Sequence, residues 1–203
     1  MNFYHNLITE KSWRVLQELR KKYDFILIGG WAVFLYTQAL KSKDVDLVME
    51  YGELERLRED FEVSKNARLK KYEARLKEAE IDIYVPFYSN PGLLAEELKK
   101  FTTNVAGFKT VKKEILAILK QKALVERVNT VKGRKDLIDL ISLFLLKDFD
   151  WSKYRQTVTK YKLEEYCQLI NEIIKKTREI KELDLNVHRI AKFKKKVLPL
   201  VGK

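Results

Sequence analysis

Three aspartates and a pair of glycines have residue types and spacing that suit phosphoryl chemistry. Gly29-Gly30 is followed, after thirteen intervening residues, by Asp44-Val45-Asp46, and Asp82 stands later between Ile81 and Ile83. Residues two apart in a strand share a face, so Asp44 and Asp46 can meet one hard cation while Val45 packs into the core behind them. Magnesium is held by one or two carboxylates plus substrate phosphates. Two-metal phosphoryl chemistry sets its ions ~3.5–4 Å apart and needs a further carboxylate near the attacking hydroxyl. Asp82 fits that place, because a charge in an apolar strand must face solvent, a partner or a metal. Two glycines between a strand and a helix let the backbone turn tightly and approach a ligand. The helix N-terminus behind them suits phosphate. Gly-Gly alone is a common turn, and Asp-x-Asp alone is often an exposed strand face. Their conjunction in this order is what makes the pattern specific.

The elements that must position these residues are legible in the apolar pattern. Spacing predicts a helix over Leu7 to Tyr23, a buried strand over Phe25 to Ile28, a helix over Trp31 to Leu40, a strand over Val45 to Met49 and a short helix over Glu53 to Glu59. Alternating segments at Leu69 to Leu76 and Ile81 to Tyr88 predict two more strands, with Lys77 to Glu80 as a hairpin connection. Asn90-Pro91-Gly92 reads as a turn. From there helices are predicted over Lys112 to Val128, Lys135 to Leu146, Trp151 to Tyr161, Leu163 to Leu183 and Val187 to Val197, punctuated by Gly133 and by Asp148-Phe149-Asp150. The expected fold class is α+β: a small mixed β-sheet with flanking helices over residues 1–107, then a helical domain over residues 108–203.

The strand-Gly-Gly-helix-Asp-x-Asp pattern with a later strand aspartate resembles the polymerase-beta-type nucleotidyltransferase superfamily, over about residues 25 to 88. That resemblance implies the nucleotidyltransferase fold, with Asp44, Asp46 and Asp82 as metal ligands. A narrower resemblance is to AbiEii-type nucleotidyltransferase toxins. It rests on Gly29-Gly30-Trp31-Ala32, on Lys43-Asp44-Val45-Asp46-Leu47 and on the run from Ile115 to Lys120, through Ala123 to Arg127, to Arg134-Lys135-Asp136-Leu137-Ile138-Asp139-Leu140. By position it implies active-site roles for Lys120 and Asp136, and contacts to a nucleoside triphosphate from Gly29, Gly30, Lys43 and Lys120. The chain departs from that pattern at Lys41-Ser42-Lys43, where Arg-x-Ser is usual, at Lys122, where a histidine is often found, and in a longer loop from Arg127 to Arg134.

Read from chemistry alone, Lys120 suits a triphosphate clamp, with Lys122 as the alternative in a different register, and an ordinary surface lysine is the plainer reading. Asp136 could pair with Lys120 or Arg127, or support its own helix N-terminus.

The formal net charge of +12 favours anionic partners. Abundant Lys and Glu, as in heat-adapted proteins, would explain the total charge but not the imbalance. From Lys99 to Lys135 there are eleven Lys or Arg against two acids, and Arg189, Lys192, Lys194, Lys195 and Lys196 form a second cluster. Tyr154, Tyr161 and Tyr166 could stack bases or simply pack. The expectation is a magnesium-dependent enzyme moving a nucleotide from a nucleoside triphosphate to RNA, with a tRNA 3′ end preferred through the AbiEii resemblance, and with an antitoxin protein as a further partner. Rival expectations are a protein or small-molecule acceptor, a binding-only component, and a basic nucleic-acid-binding protein. His5 and His188 lack zinc-like neighbours, and no P-loop or dinucleotide fingerprint occurs. The single cysteine, Cys167, reads as a packing residue and fits a reducing, cytoplasmic setting. The apolar runs fall short of the ~20 residues that span a bilayer, so no membrane association is expected, and Met1 to Glu10 lacks the pattern of a signal peptide.

Overall fold

The computed structural model describes residues 2–76 and 79–201, with side chains described from residue 7. The chain divides into two compact units, Met1–Lys112 and Lys113–Lys203. The mixed sheet, flanking helices and helical C-terminal half agree with the expected α+β class.

The first unit is built on a seven-stranded sheet in the order β3-β4-β5-β2-β1-β7-β6. Its helices are α1 (Asn2–Lys22), α2 (Gly29–Thr37), α3 (Tyr51–Asp60) and the short α4 (Ala95–Leu98). The strands are β1 (Ile26–Ile28), β2 (Val45–Val48), β3 (Val63–Asn66), β4 (Lys71–Leu76), β5 (Ala79–Tyr84), β6 (Thr102–Val105) and β7 (Phe108–Val111). The β1–β2 pair is antiparallel, whereas β2–β5 and β1–β7 are parallel. The outer pairs β3–β4, β4–β5 and β6–β7 are antiparallel. β4 and β5 pair antiparallel as the alternation predicts, but Ala79 and Glu80, expected in the connection, belong to β5 and pair with Leu76 and Arg75. Residues 77 and 78 of the connection lie outside the described residues.

Register explains the layering. Leu27 opposes Leu47, and Leu47 opposes Ile83, so three fully buried side chains line up across β1, β2 and β5. Burying each such side chain stabilises by about 1.5–3 kcal/mol. The neighbouring row has the opposite character and carries the acids.

Three strands escape the sequence pattern. β3 (Val63–Asn66) has no buried residue, and β6 (Thr102–Val105) is a polar edge strand, so neither shows apolar alternation. β7 reads as a continuation of the basic stretch, yet Phe108, Thr110 and Val111 are buried. Because β7 pairs with β1, the sheet runs on past residue 107, and the first unit ends at Lys112.

The second unit comprises α5 (Lys113–Glu126), α6 (Val131–Phe144), α7 (Trp151–Lys160), α8 (Glu164–Lys176) and α9 (Val187–Val201). Gly133 lies inside α6 rather than before it: Thr130 caps the helix by accepting from the Gly133 N–H at 3.0 Å. A side chain at Gly133 would overlap the Arg127 carbonyl, so the tight turn between α5 and α6 demands glycine. Asp150 caps α7 by accepting from the Lys153 N–H. α8 stops at Lys176, short of the predicted Leu183, and the segment from Ile180 to Leu185 closes a small bridge instead. No described helix is long and apolar enough to cross a membrane.

Candidate functional site

The acidic row lies at the middle of the first unit's sheet. Asp46 on β2 is in direct register with Asp82 on the parallel strand β5, and Asp82 with Glu73 on the antiparallel strand β4. Residues in register present their side chains to one face. Three carboxylates therefore stand in line, backed by the buried pairs Val45–Ile81 and Leu47–Ile83 on the other face. Asp44 falls one residue ahead of β2, in the bend that leads into it, rather than within the strand. Its charge still reaches Asp82, as does that of Asp46.

Gly29 sits at the strand-to-helix turn with φ of +67°, a conformation that L side chains rarely adopt. Ile28 immediately before it is the register partner of Asp46. A Cβ on Gly29 would overlap the Asp46 Oδ2 atom, so only glycine lets the turn lie against that carboxylate. Gly30 follows as a buried residue in the first turn of α2, and the N-cap Ile28 brings no side-chain acceptor to that turn. The local scaffold is rigid: Trp31 Nε1 donates to Ser12 Oγ at 2.9 Å, and Ser12 Oγ donates to the Ser42 carbonyl at 2.7 Å. One buried hydroxyl thus ties α1 to α2 and to the segment leading into Asp44. Lys43 on that segment is exposed.

Sequence reasoning missed Lys71 and Glu73. The Lys71 ammonium lies 2.6 Å from Asp82 Oδ1 and 3.0 Å from Glu73 Oε1, with only 11% of its side chain exposed. Asn66 also donates to Glu73. The signal was the charged alternation Lys71, Glu73, Arg75 on a strand paired with the one bearing Asp82, which needs the register to be read. Burial, the like charge of Asp46 and, more weakly, that of Asp44 push the Asp82 carboxyl up to about 6, against the pull of Lys71. Lys71 itself is disfavoured as a cation by burial, but Asp82 and Glu73 more than compensate and raise it.

Among the described residues, no three His, Cys, Asp or Glu side chains close around a point as a metal cage. The donor set nevertheless fits magnesium, which needs only one or two carboxylates when phosphates complete its shell. Asp46 supplies hard oxygen beside the glycine cradle, and a lysine ammonium already lies against Asp82, where cationic charge is wanted.

Lys120 and Asp136 come together in the second unit. The Lys120 ammonium is 3.0 Å from Asp136 Oδ1 and 2.7 Å from Asp139 Oδ2, and the residue is 7% exposed. Arg127 Nε donates to Asp136 Oδ2 at 2.7 Å. Both partners anticipated for Asp136 are therefore present at once. Burial alone would raise the Asp136 carboxyl, but Lys120 and Arg127 hold it below the usual carboxylate range. Asp139 is fully buried, and although Lys120 is close, neither of its oxygens receives a well-directed hydrogen bond. Lys122 lies 3.7 Å from Glu126. Tyr154 is fully buried against Gln121 and Cys167, so it packs and cannot stack a base, and Cys167 is the packing residue expected.

With this geometry in view, the chain can be set beside solved structures. It superposes on JHP933 from Helicobacter pylori with a TM-score of 0.55 at 15% identity, over 97% of this chain and 91% of that one. Another structure from H. pylori, described as that of a provisionally assigned nucleotidyltransferase, gives a TM-score of 0.51 at 16% identity, over 97% and 94% of the two chains. The antibiotic-resistance factor ANT(2″)-Ia gives 0.53 at 15% identity, over 81% of this chain and 96% of that one. The likeness is one of fold: the arrangement of mixed sheet, flanking helices and helical C-terminal half is shared with these three structures. No family model and no curated protein matches the chain.

Proposed function

We propose that the chain is a magnesium-dependent nucleotidyltransferase of the AbiEii type, moving a nucleotide from a nucleoside triphosphate onto RNA, with a tRNA 3′ end as the preferred acceptor. The observation that carries this reading is the register of Asp46 with Asp82 on adjacent parallel strands, beside a turn where a side chain on Gly29 would overlap the Asp46 carboxylate. Gly29, Gly30 and the start of α2 receive the triphosphate on backbone N–H groups. Asp46, with Asp44 from the preceding bend, holds the ion. When bound, magnesium neutralises the phosphate oxygens and orients the α-phosphorus. Asp82 takes the proton of the acceptor hydroxyl, whose oxygen forms a bond to the α-phosphorus as the bond to the bridging oxygen of the leaving pyrophosphate breaks. Lys43 is exposed where it can meet the outgoing phosphates.

RNA is favoured over a cationic small molecule by the net charge of +12 and by α9, which carries Arg189, Lys192, Lys194, Lys195 and Lys196 and no acid. An antitoxin protein is the regulatory partner of this reading. The test is direct. The protein is incubated with magnesium, each labelled nucleoside triphosphate and total RNA, beside Asp46→Asn and Asp82→Asn. Label entering RNA, lost by at least about a hundredfold in both variants, is the expected result. Label on protein or on a small molecule reassigns the acceptor, and RNA binding untouched by either change with no triphosphate binding rejects the enzyme.

A further inference from the structure

Lys71 occupies an unusual position for an ordinary cross-strand ion pair. It lies two residues along β4 from Glu73 and on the same face, and it reaches both Glu73 and the central Asp82 of the acidic row. Its backbone is fixed from outside the row. Ser89, itself 1% exposed, donates from Oγ to the Lys70 carbonyl at 2.7 Å and accepts from the Val85 N–H at 3.0 Å, tying the start of β4 to the end of β5. Two strands and a buried hydroxyl thus set the Lys71 backbone, and burial with two carboxylate contacts holds its ammonium at Asp82.

Two-metal phosphoryl transfer places a second cation between the paired carboxylates and the attacking oxygen. We infer that Lys71 stands in for that second ion: its ammonium supplies the positive charge at Asp82, and the chain takes up a single divalent ion, on the Asp46 side of the row. This rests on the nucleotidyltransferase reading for the identity of the site. It makes Lys71 a positioning residue that keeps Asp82 beside Asp46 and excludes a divalent ion from it. The argument is geometric: an ammonium 2.6 Å from Asp82 Oδ1 and an ion bound to that oxygen cannot share the space.

The test counts Mn2+ bound per chain by electron paramagnetic resonance, in the absence of nucleotide, for the wild-type chain, Lys71→Met, Lys71→Arg and the double variant Lys71→Met/Asp82→Asn. Lys71→Met is expected to bind one more Mn2+ than wild type, Lys71→Arg to match wild type, and the double variant to lose the extra ion. Equal stoichiometry in wild type and Lys71→Met overturns the proposal, as does an extra ion that survives Asp82→Asn. A merely structural ion pair would lower the melting temperature of Lys71→Met without adding an ion. If Lys71→Met does not fold, Lys71→Gln carries the same expectation. Label transfer to RNA, measured on the same wild-type sample, keeps the two readings apart: the ion count decides the role of Lys71 whether or not transfer occurs, and absent transfer counts against the nucleotidyltransferase reading alone.

Discussion

Asp82 concentrates the conflict between stability and chemistry in one side chain. It is half-buried, in register with one acid on each side, and its carboxyl is pushed up to about 6 by burial and by Asp46. A carboxyl whose folded pKa exceeds its unfolded value destabilises the fold while ionised. The penalty is present above about pH 6 and is relieved as pH falls towards the ordinary value of 3.8. Metal-free Asp82→Asn should therefore be more stable than wild type at pH 8, by roughly 1–3 kcal/mol, and the difference should vanish by about pH 4. Urea unfolding at the two pH values checks this; a variant less stable at pH 8 would mean that the Lys71 pair outweighs the repulsion. Gly29→Ala makes a second residue-scale case. The added methyl meets Asp46 Oδ2 at a φ of +67°, so the variant should lose at least about 1–3 kcal/mol and most of its transfer activity. Circular dichroism melting and the label assay read the two losses separately.

At the scale of elements, α5 and α6 are joined by a buried charge network, not by apolar packing alone. Lys120 from α5 meets Asp136 and Asp139 from α6, and Arg127 closes the group from the connecting turn. Such a network is cooperative, because each member is costly to bury without the others. Asp136→Ala leaves Lys120 and Arg127 facing each other without their shared carboxylate. It should destabilise the chain by about 3–5 kcal/mol in thermal unfolding. A change below about 1 kcal/mol would show that Asp136 does not secure the helix pair.

The whole molecule is dominated by its excess of cations. On α9, Ile190, Phe193, Val197 and Val201 face inward while Arg189, Lys192, Lys195 and Lys196 are exposed, so the outward side of the helix carries four cations and no acid. Arg189 is paired with Asp184, but Lys192, Lys195 and Lys196 have no acid on their own helix to neutralise them. Phosphate contacts of this kind make affinity fall steeply with salt. Replacing Lys192 and Lys196 by Glu should weaken RNA binding by tenfold or more at low salt and flatten its salt dependence by about two counterions, as measured by fluorescence anisotropy. Unchanged anisotropy curves would remove α9 from the RNA surface.

The sequence by itself determined the apolar periods and the local turn chemistry. β1, the Gly29–Gly30 bend, α2, the aspartates of β2 and its approach, the β5 alternation and the succession of C-terminal helices were all legible, because each is specified within a few residues. Tertiary structure decided what lies beside what. β3 and β6 have no buried stripe to betray them, and β7 is a strand because β1 offers it an unpaired edge. Lys71 and Glu73 joined the acidic row only through the register of β4 on β5. Lys120 became an internal cation only when α6 brought two aspartates to it. The physical reason is common to these cases: register and helix packing are set by the whole buried layer. A charged residue therefore learns its partner from contacts far along the chain, and its neighbours in sequence carry no record of them.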